Sequence, residues 1–141
     1  MSERANARER RRLRILGAAE ELFAANGFAK TTVDEITQRA GVSKGLVYVH
    51  YDSKEELLRA VWARQVDRWM EATRRGVKLG RGSVAPAIGE ALAVSIAHAR
   101  ENPMLRRILS QDPGSLVPQQ REDVAAFARR YRELLVSGLR G

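Results

Sequence analysis

Two short amphipathic segments on either side of Gly41 constrain the fold of this chain most strongly. Before the glycine, apolar residues recur at helical spacing from Val33 to Ala40. After it, Ser43 is placed to cap a helix that holds Lys44 to Tyr51. Two short helices joined by a tight turn that contains glycine form a helix-turn-helix. The sequence therefore predicts this motif over the second and third helices.

Capping residues mark where these helices and the next one begin. The hydroxyl of either Thr31 or Thr32 can accept a hydrogen bond from an early backbone N–H of the second helix. The acid three residues later, Asp34 or Glu35, can accept one from the backbone N–H of that threonine. Ser53 and Glu56 have the same spacing and predict the start of a long fourth helix.

Apolar residues recur at helical spacing along the rest of the chain, with no alternation of the strand type, so the expected fold class is all-α. Gly76, Gly80 and Gly82 are expected to loosen the chain after the fourth helix. The first helix is predicted from Leu13 to Asn26-Gly27, where the chain is expected to end the helix in a left-handed conformation. The fourth helix is predicted from Ser53 towards Gly76 and the fifth from Ser83 to Asn102. A short helix is predicted from Leu105 to Leu109, and the last helix from Pro118 onward.

The composition excludes several classes of function. The 141 residues carry a formal charge of +8, which favours polyanionic partners, and contain no cysteine. The histidines His50 and His98 are far apart, and no hydrolase, metalloprotease or P-loop pattern occurs, so we expect neither an enzyme nor a metal or cofactor site. Without a secretory signal or a membrane span, we expect a cytosolic protein and no membrane partner.

The third helix carries the chemistry that favours DNA. Where a surface helix would be rich in charged residues, its expected exposed face shows Leu46, Tyr48 and Val49. Apolar side chains of this kind can contact thymine methyl groups in the major groove, and Lys44 can donate to guanine. The residues predicted to contact DNA are Thr32, Ser43, Lys44, Gly45, Leu46, Tyr48, Val49, His50 and Lys54, with capping and solvated charge as the plainer roles of Thr32, Ser43 and Lys54.

The segment from Ala18 to Leu58 resembles the DNA-binding domain of the TetR family of bacterial transcriptional regulators. The resemblance is carried by AAEELFAANGFAKTTVDEI and GVSKGLVYVHYDSKEELL. It implies that Lys44 to His50 form the recognition helix and that Thr32, Tyr48, His50 and Lys54 contact phosphates. It also implies that the basic arm from Arg8 to Arg14, with Arg11 and Arg12, reaches the DNA backbone or minor groove.

By the same resemblance, residues 1–53 form the DNA-binding domain, and the fourth helix leads into a helical ligand-binding and dimerising domain over 54–141. Family members usually add two further long helices, so we expect the second domain to be truncated and the homodimer to be in doubt. The residues predicted to line a ligand pocket are Trp62, Trp69, Leu92, Ile96, Met104, Ile108, Phe127 and Tyr131, although an ordinary core is the plainer role of each.

The leading hypothesis is a repressor that binds a palindromic operator in double-stranded DNA as a dimer. A largely apolar small-molecule effector would release it. The sequence leaves two alternatives open. One is a truncated DNA-binding protein with weak, salt-sensitive and largely non-specific binding. The other is a small helical carrier of hydrophobic ligands.

Overall fold

Six α-helices, and no strand, make up the described part of the chain. The computed structural model describes residues 2–79, 84–104, 106 and 118–140. The all-α prediction is confirmed, whereas the predicted short helix from Leu105 to Leu109 lies almost wholly outside the described residues. The helices are α1 (Glu3–Asn26), α2 (Val33–Ala40), α3 (Lys44–His50), α4 (Lys54–Leu79), α5 (Val84–Glu101) and α6 (Pro118–Arg140).

Helix α1 begins at Glu3 rather than at Leu13, so the basic arm is itself helical. Ser2 caps this early start by accepting a backbone N–H of the first turn at 3.3 Å. One turn further on, the Arg12 guanidinium donates to both carboxylate oxygens of Glu9, at 2.9 and 2.7 Å. Caps and charge pairs of this kind favour a helix without any apolar periodicity, which is why the apolar pattern missed it.

The chain leaves α1 at Gly27, as predicted, but in a different conformation. Gly27 has φ 83° and ψ 161°, a positive-φ region that is nearly restricted to glycine, rather than the left-handed helical values. The hydroxyl of Thr31, which is fully buried, donates towards the carbonyls of Gly27 and Leu22, at 2.7 and 3.2 Å. Thr31 therefore fastens the loop to the end of α1, and Thr32 is the residue left to cap α2.

The caps of the helix-turn-helix follow the prediction. The Thr32 hydroxyl accepts the N–H of Glu35 at 3.2 Å, and the Glu35 carboxylate accepts the N–H of Thr32 at 2.8 Å. Gly41 ends α2 in the left-handed conformation, with φ 66° and ψ 41°. The Ser43 hydroxyl then accepts the N–H of Leu46 at 3.3 Å. Local side-chain chemistry thus sets both ends of the turn.

The start of α4 differs from the predicted capping box by one residue. The Ser53 hydroxyl accepts the N–H of Glu56 at 3.1 Å, as predicted. The Glu56 carboxylate, however, accepts the N–H of Asp52 at 2.7 Å instead of that of Ser53.

The prediction that Gly76 loosens the chain is wrong, because α4 continues through it to Leu79. A Cβ atom at Gly76 would lie 2.9 Å from the carbonyl oxygen of Glu90 and 3.0 Å from Cα of Ala91. The missing side chain thus lets the backbone of α5 approach α4 closely.

The chain divides into two compact units, Met1–Arg64 and Gln65–Gly141, and the division falls within α4. In the first unit, α1 packs against α2 and α3. In the second unit, α5 packs against α6. None of the described helices is both long and apolar enough to cross a membrane. The largest fully buried apolar side chains, all in the first unit, are Phe23, Ile15, Ile36, Leu57, Val47 and Val61.

Candidate nucleic-acid interface

Helix α3 presents an apolar and aromatic face to solvent. Val49 is 65% exposed and Tyr48 is 46% exposed, whereas Val47 is buried against the first unit. Tyr51, which was predicted to end the helix, is buried directly after it and supplies the C-cap. The predicted division into a packed and an exposed face is confirmed at Val47, Tyr48 and Val49, whereas Leu46, predicted on the exposed face, is half-buried. An exposed valine on a helix is suited to contact with a thymine methyl group, and an exposed tyrosine hydroxyl can donate to a phosphate.

The ammonium of Lys44, at the start of α3, lies 2.9 Å from a carboxylate oxygen of Asp34 on α2. This hydrogen bond raises the pKa of Lys44. Both side chains are more than half exposed, so water and salt screen the pair. Lys44 is thus held across the turn by a contact that a stronger acceptor can replace. Gly45 and Leu46 follow it on the helix, the first exposed and the second half-buried.

The helix starts near α3 are already occupied by the chain's own caps. The Glu35 carboxylate holds the N–H and the hydroxyl of Thr32, and the bond from the Thr32 backbone lowers the pKa of Glu35. The Ser43 hydroxyl is used for capping but is exposed. Thr32 and Ser43 precede the two helices of the helix-turn-helix, and a phosphate at Thr32 would compete with Glu35.

Lys54, predicted as a phosphate contact, makes internal hydrogen bonds. Its ammonium donates to the carbonyls of Phe28 and Thr31, at 2.9 and 3.0 Å, and lies 4.3 Å from the centre of the Phe28 ring. An ammonium has three N–H donors, so one remains for another acceptor. Lys54 therefore ties the loop before α2 to the start of α4, a role that sequence reasoning missed because the partners are distant in sequence.

His50, at the end of α3, faces the helical arm. Burial and the guanidinium groups of Arg8 and Arg12 hold the pKa of His50 below its usual value, Arg11 acts in the same direction, and Glu9 opposes them. Arg12 is fixed by Glu9, whereas Arg11 is exposed. The structure thus brings His50 and the predicted arginines together into one positive region of the first unit.

The structure brings only some of the predicted pocket residues together. Trp69 on α4 and Phe127 and Tyr131 on α6 form an aromatic cluster with His98 on α5, which the prediction did not include. The Trp69 ring centre lies 4.7 Å from that of Phe127 and 6.3 Å from that of His98. Met104 is buried. The other predicted residues lie elsewhere: Leu92 and Ile96 are half exposed on α5, Trp62 belongs to the first unit, and Ile108 is outside the described residues.

Polar groups that the pocket prediction did not include adjoin the aromatic cluster. A chain of hydroxyls joins Thr73 to Ser95 at 3.0 Å and Ser95 to Tyr131 at 2.9 Å. Gln65 is fully buried and accepts a hydrogen bond from Asn102. Gln65 lies on the apolar stripe of α4, and its position there agrees with its burial, whereas its partner Asn102 is distant in sequence.

An open groove of about 510 Å³ also lies in the second unit, between α4 and α6. Two of the arginines at its rim are engaged, Arg74 with Glu71 at 2.8 Å and Arg130 with Asp67 at 3.4 Å. Among the described residues, no group of three or more His, Cys, Asp or Glu side chains is arranged to hold a metal ion.

Comparison with known proteins agrees with this geometry. Residues 15–61, which contain α2, the turn and α3, match the model of the family described as bacterial regulatory proteins, tetR family. The chain is also 42% identical over 71 residues to the HTH-type transcriptional activator FasR of Mycolicibacterium smegmatis. That match covers 50% of this chain but only 32% of FasR, so the chain spans about a third of this relative.

Solved structures extend the likeness beyond the helix-turn-helix. A transcriptional regulator from Streptomyces coelicolor A3(2) is 30% identical to this chain, with a TM-score of 0.73. The alignment covers 91% of this chain and 75% of that regulator. A TetR family transcription regulator from Marinobacter aquaeolei VT8 is 25% identical to this chain, with a TM-score of 0.75. The alignment covers 93% of this chain and 68% of that regulator.

Proposed function

Because the chain belongs to the TetR family of bacterial regulatory proteins, we propose that it is a transcriptional regulator that binds double-stranded DNA with α3 in the major groove. The observation that carries this proposal is the exposure of Val49 and Tyr48 on a helix whose other face is packed into the first unit. Neither side chain is buried in the first unit, and the major groove offers a thymine methyl group to the valine and phosphate oxygens at its edge to the tyrosine.

The proposed contacts divide into base reading and positioning. Lys44 leaves Asp34 and donates to guanine, while Leu46 and Val49 contact thymine methyl groups. Gly45 allows close approach of the helix backbone. Positioning contacts to phosphates come from Thr32, Ser43, Tyr48, His50 and Lys54, and from Arg11 and Arg12 of the helical arm.

The test begins with selection of a preferred duplex from a random library, followed by fluorescence anisotropy on the selected and on scrambled DNA. Val49→Ala should weaken binding to the selected duplex by roughly tenfold and leave scrambled DNA nearly unchanged, since one base contact is worth about 1–3 kcal/mol. Lys44→Met should also reduce the preference for the selected duplex. Equal losses on both duplexes would show that α3 does not read bases.

Two matched variants control for the nature of the substitution. Val136→Ala removes the same two methyl groups from an exposed valine on α6, which is 42% exposed. Lys78→Met removes the same charge from the last turn of α4. Neither should change the ratio of affinities for the two duplexes.

The finer proposal is a homodimer that represses transcription and is released by a small molecule. The half-exposed apolar residues Leu92 and Ile96, one turn apart on α5, support pairing of two copies. Two copies would read half-sites about 34–36 Å apart, so the selected duplex should be palindromic and sedimentation should give a dimer. The sign of regulation needs its own assay, because FasR is a transcriptional activator. A reporter whose promoter overlaps the selected site should be silenced.

A further inference from the structure

We propose that the aromatic cluster of the second unit binds a neutral, planar aromatic molecule that carries a hydrogen-bond acceptor. The inference rests on the proposed regulatory function, in which this molecule is the effector. It is drawn from buried donor groups beside the cluster that have no partner in the protein.

Two contacts, one helical turn apart, join α4 to the end of α5. In the first, Asn102 donates to the side-chain carbonyl of Gln65. In the second, the rings of Trp69 and His98 lie 6.3 Å apart. Gln65 and Trp69 are four residues apart on α4 and so share one side of it, and Asn102 directly follows α5, four residues after His98. The two contacts therefore place these side chains next to one another.

Each of three side chains in this group has a buried nitrogen without a hydrogen-bond partner. They are Nε2 of Gln65, Nε1 of Trp69 and Nε2 of His98. An amide NH₂ and an indole N–H can only donate, so two of the three nitrogens require an acceptor. Buried polar groups in proteins are almost always paired, with protein, water or a ligand. A ligand that brings an acceptor to Gln65 and Trp69 satisfies them.

The surroundings of these donors indicate what else the ligand carries. Phe127 and Tyr131 lie against Trp69, with ring centres 4.7 and 6.5 Å away, and rings prefer to pack against another flat apolar face. The charged groups that act on His98 are Arg68, Arg75 and Glu101, and all three are exposed. Since none of the described charged groups that act on His98 is buried and able to pair with an ionised ligand, the proposed ligand is neutral.

Three probes of nearly equal shape separate these requirements. They are 2-acetylnaphthalene, which is neutral and carries a carbonyl acceptor, 2-ethylnaphthalene, which lacks the acceptor, and 2-naphthoate, which carries acceptors and a charge. Binding to the full chain is measured by equilibrium dialysis. The acetyl compound should bind about tenfold tighter than either of the others, the gain expected from one or two hydrogen bonds to otherwise unpaired donors.

Two variants identify the donors. Gln65→Met removes the amide donor and keeps the length of the side chain, and Trp69→Phe removes the indole N–H and keeps a ring. Each should weaken 2-acetylnaphthalene by roughly tenfold and 2-ethylnaphthalene by less than about twofold. Gln38→Met, at an exposed position on α2, repeats the amide exchange elsewhere and should change neither. If one cluster variant fails to fold, the other decides.

The outcomes separate this inference from the proposed function. Equal binding of the three probes, tightest binding of naphthoate, or equal losses for both neutral probes in the variants would each overturn the inference. If no probe binds while the α3 variants still lose the selected duplex, the inference fails and the DNA-binding proposal stands. If the acetyl compound binds through Gln65 and Trp69 but the chain binds no DNA, the inference stands and the proposed function fails.

Discussion

Replacement of Lys54 by methionine is expected to lower the stability of the first unit by about 2–3 kcal/mol. The ammonium donates two hydrogen bonds, to the carbonyls of Phe28 and Thr31, and lies over the Phe28 ring. Each charge-assisted bond is assigned about 1–1.5 kcal/mol, because the group is part-buried and the carbonyls regain some water. Loss of the ring contact lowers the stability further, by about 0.5–1 kcal/mol. The methionine side chain keeps more conformational entropy in the folded state than the bonded lysine does, which offsets a similar amount.

Urea unfolding of a Trp69→Phe background measures this change, because Trp62 is then the single tryptophan and reports on the first unit. The midpoint should fall by roughly 1–1.5 M at a slope of about 2 kcal/mol per M. Lys30→Met is the matched control, since Lys30 is an exposed lysine of the same loop. An unchanged midpoint for Lys54→Met would refute the tie. In DNA titrations the same variant should lower the salt slope by about one if the third N–H contacts a phosphate.

Two further predictions concern α4 and α3. Gly76→Ala should destabilise the chain by up to about 2 kcal/mol, because overpacking against the α5 backbone outweighs the helix propensity of alanine. Gly89→Ala should stabilise the chain by about 1 kcal/mol, because a Cβ atom there would meet nothing within 4 Å. If thermal unfolding shows that both variants are stabilised equally, the close approach of α5 to Gly76 is refuted. The charged groups that act on His50 are Arg8, Glu9, Arg11 and Arg12, and its pKa is lowered. Protonation of His50 below its usual pKa of 6.5 therefore destabilises the fold of the free protein, whereas a phosphate at the ring would raise the pKa. DNA affinity should therefore rise as the pH falls from about 7.5 to 6, and a pH profile that is the same in His50→Gln would disprove the contact.

Features with local causes could be predicted from sequence, and features with distant partners could not. The cap at Thr32, the turn at Gly41 and the cap at Ser43 each depend on side chains within a few residues, and the structure has all three. The two buried faces of the helix-turn-helix follow from periodicity in the same way.

The tie from Lys54 to Phe28 and the close approach at Gly76 join residues far apart in sequence, so no local pattern contains them. The hydrogen bond from Asn102 to the buried Gln65 is similar, because the two residues are 37 positions apart. The helical arm is the exception. Its causes, Ser2 and the pair of Glu9 with Arg12, are local, but they lie outside the apolar pattern on which the prediction relied.

The ion pair between Lys44 and Asp34 bears on how such a protein would search a chromosome. In the proposed DNA complex, the Asp34 carboxylate would partly neutralise the Lys44 ammonium and hold it away from the bases, and the protein would be held by phosphate contacts that every sequence provides equally. A complex of that kind can slide, because each step replaces one set of contacts with an equivalent set. In that proposed complex, only a base acceptor better than the carboxylate would draw Lys44 away and halt the movement. Asp34 would thus separate fast scanning from slow arrest at the operator.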